Sequence, residues 1–178
     1  MSSITIAPPP AKPSGPPLHT ETTAGNYFVA NYPPFAFWKT EAVPEFAAAL
    51  QRPPQPGTPL GLYVHIPFCR KRCHFCYFRV YTDKNADDIR SYLDALLLDL
   101  ANLASKPVIG GRKPKFIYFG GGTPSYLSPE QLRFLTEGMK RLLPWEDVEE
   151  VTFEAEPGTL TDHKLQAIRD MGDRKSVV

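Results

Sequence analysis

The chain reads as a parallel α/β fold, and three observations carry that reading. Short apolar runs of strand length stand at 60–66, 115–119 and 148–154. Each is followed by a loop rich in cysteine, glycine or proline, and each loop leads into a stretch with apolar residues at helical spacing. Strand, loop and helix three times in series imply parallel strands joined by right-handed crossovers. In such folds ligands bind at the carboxyl ends of the strands, in the loops that lead to the helices. Each of the three loops here carries a candidate group.

The 178 residues suffice for one core, and a net charge of +1 with 22% charged residues gives no general affinity for nucleic acid or a membrane surface. No apolar run approaches a membrane span, and the start lacks the basic and apolar regions of a secretory signal. With reduced cysteines, a cytoplasmic location is expected. Thirteen of the 20 prolines fall in the first 60 residues. Residues 1–24, with Pro8-Pro9-Pro10 and Pro16-Pro17, can neither continue a helix or central strand nor supply apolar side chains to bury. They are expected to form a disordered arm, with a proline-rich ligand for a partner as the functional alternative. Residues 25–59 form an aromatic segment and linker: Tyr27, Phe28, Tyr32, Phe35, Phe37 and Trp38 need a surface to cover, a short helix is expected near 45–50, and prolines 53–59 close the segment stiffly.

From residue 60 the units follow in order. The strand at 60–66 is apolar and partly β-branched, and the helix at 85–104 places Ile89, Leu93, Leu96, Leu97, Leu100 and Leu103 on one face. A buried strand at 115–119 and a loop at 120–124 precede a helix at 128–143. Its start is marked by Ser128 as N-cap, Pro129 at the first position and Gln131 completing a capping box. Leu132, Leu135, Met139, Leu142 and Leu143 form its inner face. The strand at 148–154 alternates, Pro157-Gly158 turns the chain, and a helix of about ten residues runs to Met171 and stops at Gly172.

All three cysteines lie in Cys69-Arg-Lys-Arg-Cys73-His-Phe-Cys76. Thiolates at this spacing on a loop can gather on an iron-sulfur cluster, zinc or copper. A structural zinc normally takes four protein ligands and an electron-transfer cluster four cysteines, so three cysteines on a four-iron cluster would leave one iron open for chemistry. Zinc with His74 as fourth ligand is a second reading, although His74 adjoins Cys73. Structural cysteines or a disulfide fit poorly with the neighbours Arg70, Lys71 and Arg72 and with the odd count. Those three cations can attract substrate carboxylates or simply be solvated. Gly120-Gly121-Gly122-Thr123-Pro124 lets backbone approach a ligand closely; phosphate is a competing ligand, but no lysine stands at Walker spacing. Glu154 and Glu156, two apart, point to one face of the third strand, where buried carboxylates need partners.

The CxxxCxxC run with Phe75 before its last cysteine is preceded by Tyr63-Val-His-Ile-Pro-Phe68 and followed by Gly-Gly-Thr-Pro. This order resembles the radical S-adenosylmethionine (SAM) enzymes, in the subgroup of oxygen-independent coproporphyrinogen III oxidase and its relatives. The resemblance spans about 26–172. It implies that 60–172 form the N-terminal half of a partial (β/α)6 TIM-like barrel, with three βα units present. It implies a 4Fe-4S cluster on Cys69, Cys73 and Cys76, with SAM chelating the fourth iron. Gly120, Gly121, Gly122 and Thr123 are then expected at the methionine end of SAM and Glu154 on SAM. Phe75 and Tyr63 are expected nearby, with simple packing as the alternative for both. No role carries over for Glu156. The implied chemistry passes an electron from the reduced cluster into the sulfonium, giving methionine and a 5′-deoxyadenosyl radical that takes hydrogen from an unactivated carbon. Implied partners are a small-molecule substrate, coproporphyrinogen III or another tetrapyrrole of haem metabolism, and an electron donor such as flavodoxin or ferredoxin.

Two features depart from the oxidase. Phe78 stands where the oxidase has a further cysteine, which resembles the haem chaperone, anaerobic haem-degrading enzymes and radical methylases of the subgroup; the aromatic segment before the barrel resembles the oxidase. A haem chaperone or radical SAM methylase is therefore the alternative. The second departure is Asp173-Arg-Lys-Ser-Val-Val178, polar where relatives continue into another strand. One reading frame for these residues and a stop, GATCGGAAGAGCGTCGTGTAG, resembles a sequencing-library adapter. The natural gene is expected to continue past Gly172, with 173–178 an artefactual tail, and an inactive fragment is a third alternative.

Overall fold

Three strands, β1 (Leu60–Ile66), β2 (Pro114–Gly121) and β3 (Glu150–Phe153), pair in parallel in the order β1-β2-β3. A helix α1 (Val43–Leu50) precedes them; α2 (Ala86–Ala104) and α3 (Pro129–Leu142) make the crossovers, and α4 (Asp162–Asp170) follows β3. This is the alternating β-α architecture of a partial barrel. The computed structural model describes residues 38–76 and 78–173. The expectations for the proline-rich arm, for the aromatic side chains before Trp38 and for residues 174–178 fall outside them. The chain divides into two units, Met1–Val43 and Pro44–Val178, and everything below concerns the second.

Alternation along the strands divides the sheet into two faces. Val64, Ile66, Ile117, Phe119, Val151 and Phe153 are buried with Leu93 and Leu100 of α2, Leu132, Leu135 and Met139 of α3, and Ile168 of α4. The apolar stripes of the helices therefore supply one continuous core on one side of the sheet. Tyr63, Phe116 and Tyr118 point to the other side, where Tyr63 is 56% exposed. The Phe116 ring lies over Gly61, where a Cβ would come within 2.1 Å of it.

Helix boundaries follow local chemistry. Asn85 caps α2 and forms a capping box with Asp88; Ser128 and Gln131 do the same for α3, with Pro129 in its first turn. Thr161 caps α4, whose end is a Schellman motif: Gly172, at φ 107, donates to Arg169 O and Asp173 N–H donates to Ile168 O. Three expectations are corrected. Leu103 lies at the end of the α2 stripe and is 36% exposed, outside the core. Strand β2 is longer than 115–119, because Gly120 and Gly121 still pair with His65 and Ile66. Strand β3 is shorter than 148–154, because Val148 N–H turns back to Trp145 O; Glu154 keeps one ladder bond, to Phe119 O at 3.0 Å. Among the described residues, no helix is long and apolar enough to cross a membrane.

Candidate functional site

The three loops at the carboxyl ends of the strands meet around one cleft of about 490 Å³, within the range of small-molecule sites. Cys69, Cys73, Cys76 and Phe75 line it from the first loop, Gly121, Gly122 and Thr123 from the second, and Glu154 and Glu156 from the third. Two of the expected site residues lie elsewhere. Tyr63 stands on the exposed sheet face, and Gly120 is buried beneath Tyr118 and Glu154.

The cysteine loop is clamped at its base. Tyr81 N–H donates to Pro67 O at 2.8 Å and Cys69 N–H to Tyr81 O at 3.0 Å, so the chain leaves and re-enters beside β1. Within it, Cys76 N–H donates to Cys73 O and the Arg72 guanidinium to Cys76 O, both near 3 Å. All three thiols are free; Cys69 is buried and Cys73 exposed. Burial pushes the Cys69 thiol up, opposed by the Thr123 hydroxyl, which donates to its Sγ at 3.4 Å. Phe75 is 87% exposed at the edge of the cleft.

The glycine loop presses directly against this base. Gly122 N–H donates to Ile66 O at 2.8 Å and Thr123 N–H to Phe68 O at 2.9 Å. A Cβ on Gly122 would stand 2.9 Å from the Cys69 Sγ, and one on Gly121 would stand 2.7 Å from the His65 ring. From the third loop, Glu154 Oε1 accepts from the Tyr118 hydroxyl at 2.7 Å and Oε2 from Gly121 N–H at 3.2 Å. Glu156 is exposed.

A polar network missed in the sequence lies beneath the second and third loops. Ser125 Oγ and Thr159 Oγ1 are 2.5 Å apart, Glu156 N–H donates to Ser125 Oγ at 2.9 Å, and Thr159 Oγ1 is 2.8 Å from Glu156 O. The ammonium of Lys164, a residue only 9% exposed, donates to Ser125 O at 2.6 Å. Lys164 falls on an amphipathic helix where a lysine reads as solvent-facing, so no sequence signal marked it. Tyr118 could have been found: it shares the alternation of Phe116 and Gly120, which directs it away from the core.

The donor set can be tested against the expected groups. Among the described residues, no three His, Cys, Asp or Glu side chains are gathered tightly enough to hold a single metal ion. Zinc would need its thiolates about 2.3 Å from one point, whereas a cubane takes each cysteine on a separate iron. Three free thiols line one cleft and His74 is not among its lining residues, so the donor set fits a cluster held by three cysteines.

Comparison with known proteins agrees. The Radical SAM superfamily model matches residues 63–177. An oxygen-independent coproporphyrinogen III oxidase of Cereibacter sphaeroides is 28% identical over 148 residues, 83% of this chain and 32% of that protein. Heme chaperone HemW of Escherichia coli is 40% identical over 102 residues, 57% of this chain and 26% of that protein. The solved structure of the radical SAM enzyme coproporphyrinogen III oxidase (HemN) from Escherichia coli superposes with a TM-score of 0.64 at 30% identity, over 78% of this chain and 30% of that one. The chain thus spans less than a third of the length of these relatives. Cysteine loop, glycine loop and carboxylate meet where a parallel sheet binds its ligands, and the chain belongs to the Radical SAM superfamily, related to both the coproporphyrinogen oxidases and the HemW chaperones.

Proposed function

We propose that this chain provides the cofactor-binding part of a radical SAM oxidoreductase. A 4Fe-4S cluster and SAM are the hallmark cofactors of its superfamily. When bound, they supply an electron and a carbon-centred radical able to take hydrogen from an unactivated carbon. Cys69, Cys73 and Cys76 would hold three irons. The backbone of Gly121 and Gly122, with Thr123, would border SAM, and Glu154 would accept hydrogen bonds from it. Phe75 is available to cover the ligand and reduce water access. Tyr63 and Gly120 contribute through Tyr118, which one stacks on and the other makes room for. The single observation that carries the reading is the meeting of the three thiols with the glycine loop and Glu154 around one cleft.

The substrate we favour is coproporphyrinogen III or another tetrapyrrole of haem metabolism, on the strength of the relatives' names. Exposed Cys73 beside Lys71 and Arg72 suits an acidic electron donor such as flavodoxin or ferredoxin, and free thiols suit the cytoplasm. A second reading, haem chaperone, is supported by the likeness to HemW, 40% identical over 102 residues, and by Phe78 in place of a further cysteine.

The test is anaerobic reconstitution with iron and sulfide, then addition of SAM and dithionite, with 5′-deoxyadenosine measured against Cys73→Ala. Product from the unmutated chain alone is expected. Equal product from both chains, or no iron-sulfur absorbance in either, overturns the reading. Haem uptake and transfer to an acceptor without 5′-deoxyadenosine would favour the chaperone.

A further inference from the structure

The Glu154 carboxylate is oriented by the protein itself. Its two oxygens accept from different groups, Oε1 from the Tyr118 hydroxyl at 2.7 Å and Oε2 from the Gly121 N–H at 3.2 Å. A carboxylate has about four lone-pair sites. Two remain for a ligand, and the two bonds decide where they face.

The bond to Tyr118 is built across the sheet. Tyr118 pairs in register with Thr152, so it reaches Glu154 on a diagonal. Gly120 makes the diagonal passable: a Cβ there would lie 2.8 Å from Tyr118 Cε1 and 3.1 Å from Glu154 Oε1. The Tyr118 ring is braced in turn. It stacks on Tyr63 with centroids 6.0 Å apart and planes at 22°, and the Tyr63 hydroxyl is 3.1 Å from His65 Nδ1.

We propose that Tyr118 is a positioning residue that fixes the Glu154 carboxylate in the orientation in which its free lone pairs meet SAM. This rests on the reading of Glu154 as a SAM contact. A glutamate at the end of a strand otherwise samples several rotamers, and restraining it beforehand spares the ligand that ordering entropy. Gly120 serves the same pair: its bare Cα belongs to the Tyr118–Glu154 clamp and not to the ligand surface.

The clamp has a spectroscopic handle. The phenol of Tyr118 is pushed up to about 12, first by its hydrogen bond to Glu154, then by burial and by the charges of Glu154 and Tyr63. Tyr118→Phe, Glu154→Gln and the double variant are compared by two measurements. In ultraviolet titration of the metal-free chain, in which burial raises Tyr92 in every variant alike, a step assigned to Tyr118 is expected near 12. It disappears in Tyr118→Phe and moves toward the ordinary value of about 10 in Glu154→Gln. In equilibrium dialysis of cluster-loaded protein, Tyr118→Phe is expected to weaken SAM binding about tenfold at unchanged cluster absorbance. Glu154→Gln weakens it at least as much, and the double variant no further. If Glu154→Gln weakens binding and Tyr118→Phe does not, the positioning role is wrong while the Glu154 reading stands. If neither changes binding, the Glu154 reading fails and takes the proposal with it. A step near 12 that is lost in Tyr118→Phe but unmoved by Glu154→Gln, or additive losses in the double variant, also overturns it.

Discussion

Gly122 is where the second loop touches the first. A Cβ there would meet the Cys69 Sγ and Phe68 O at 2.9 Å and Ile66 O at 3.0 Å, and two of those atoms are backbone that cannot swing aside. Gly122→Ala is therefore expected to push the loops apart, break the bond to Ile66 O and destabilise the chain by about 1–3 kcal/mol. Urea unfolding measures the loss, and iron and sulfide content after reconstitution should fall with it. Gly57→Ala is a control for the opposite cause, since nothing lies within 4 Å of it and only its φ of 76 resists the change. The glycine run was legible as a ligand loop, but the separate partners of its members were not. Gly120 faces Tyr118 and Glu154, Gly121 faces His65, and Gly122 faces Cys69; what lies opposite a glycine is a tertiary fact. The same holds for the pH dependence of Tyr118. Its phenol is held above the unfolded value of about 10, so the stability its hydrogen bond adds is complete below pH 10 and lost as pH rises through about 12. The stability difference between the unmutated chain and Tyr118→Phe, followed by urea unfolding at rising alkaline pH, should shrink over that window.

At the scale of elements, what was legible was local. Strand β1, the capping box of α3 and the Gly172 stop of α4 each depend on residues a few positions apart, so their signals survive in one dimension. Ser128→Ala should accordingly cost about 1 kcal/mol, seen as a lower urea midpoint at constant slope. The network tying the second loop to the third is the opposite case, because Ser125, Thr159 and Lys164 come from three elements and none is unusual alone. Ser125 is fully buried and its hydroxyl meets both Thr159 Oγ1 and Glu156 N–H. Ser125→Ala takes the acceptor from the part-buried Glu156 N–H and the buried partner from Thr159 Oγ1, at about 1 kcal/mol. Because Thr123 and Glu156 flank the network, the variant should lose SAM affinity as well as thermal stability. A change in stability with SAM binding intact would show that the network holds the fold and not the cleft.

Across the whole described domain, the two ends of the sheet do different work. The cleft occupies the carboxyl ends of the strands; at the amino ends, the connection between α2 and β2 is stapled to the linker that leads into β1. The Arg112 guanidinium donates to Thr58 O at 3.0 Å and Val108 O at 2.8 Å, Val108 N–H donates to Leu50 O at 3.1 Å, and Gly110, at φ 56, packs beside Pro54. The ion pairs Lys113–Asp147 and Lys115–Glu149 stand at the same end, but they are largely exposed, and such pairs contribute little. Arg112 is thus the side chain that joins linker to domain, since one rigid fork satisfies carbonyls from both. Arg112→Met retains the apolar stem and removes the fork. Residues 51–58 should then detach more often, and cleavage after Leu50, whose carbonyl is bonded to Val108 N–H, by a broad-specificity protease such as proteinase K should quicken several-fold, because proteolysis follows the population of the opened segment. Cluster uptake should be unchanged, because every residue lining the cleft comes from the opposite end of the sheet. Mass spectrometry of timed digests reads the first effect and iron content the second. Unchanged cleavage would mean that Arg112 does not hold the linker, and a parallel loss of iron would mean that the two ends are not independent.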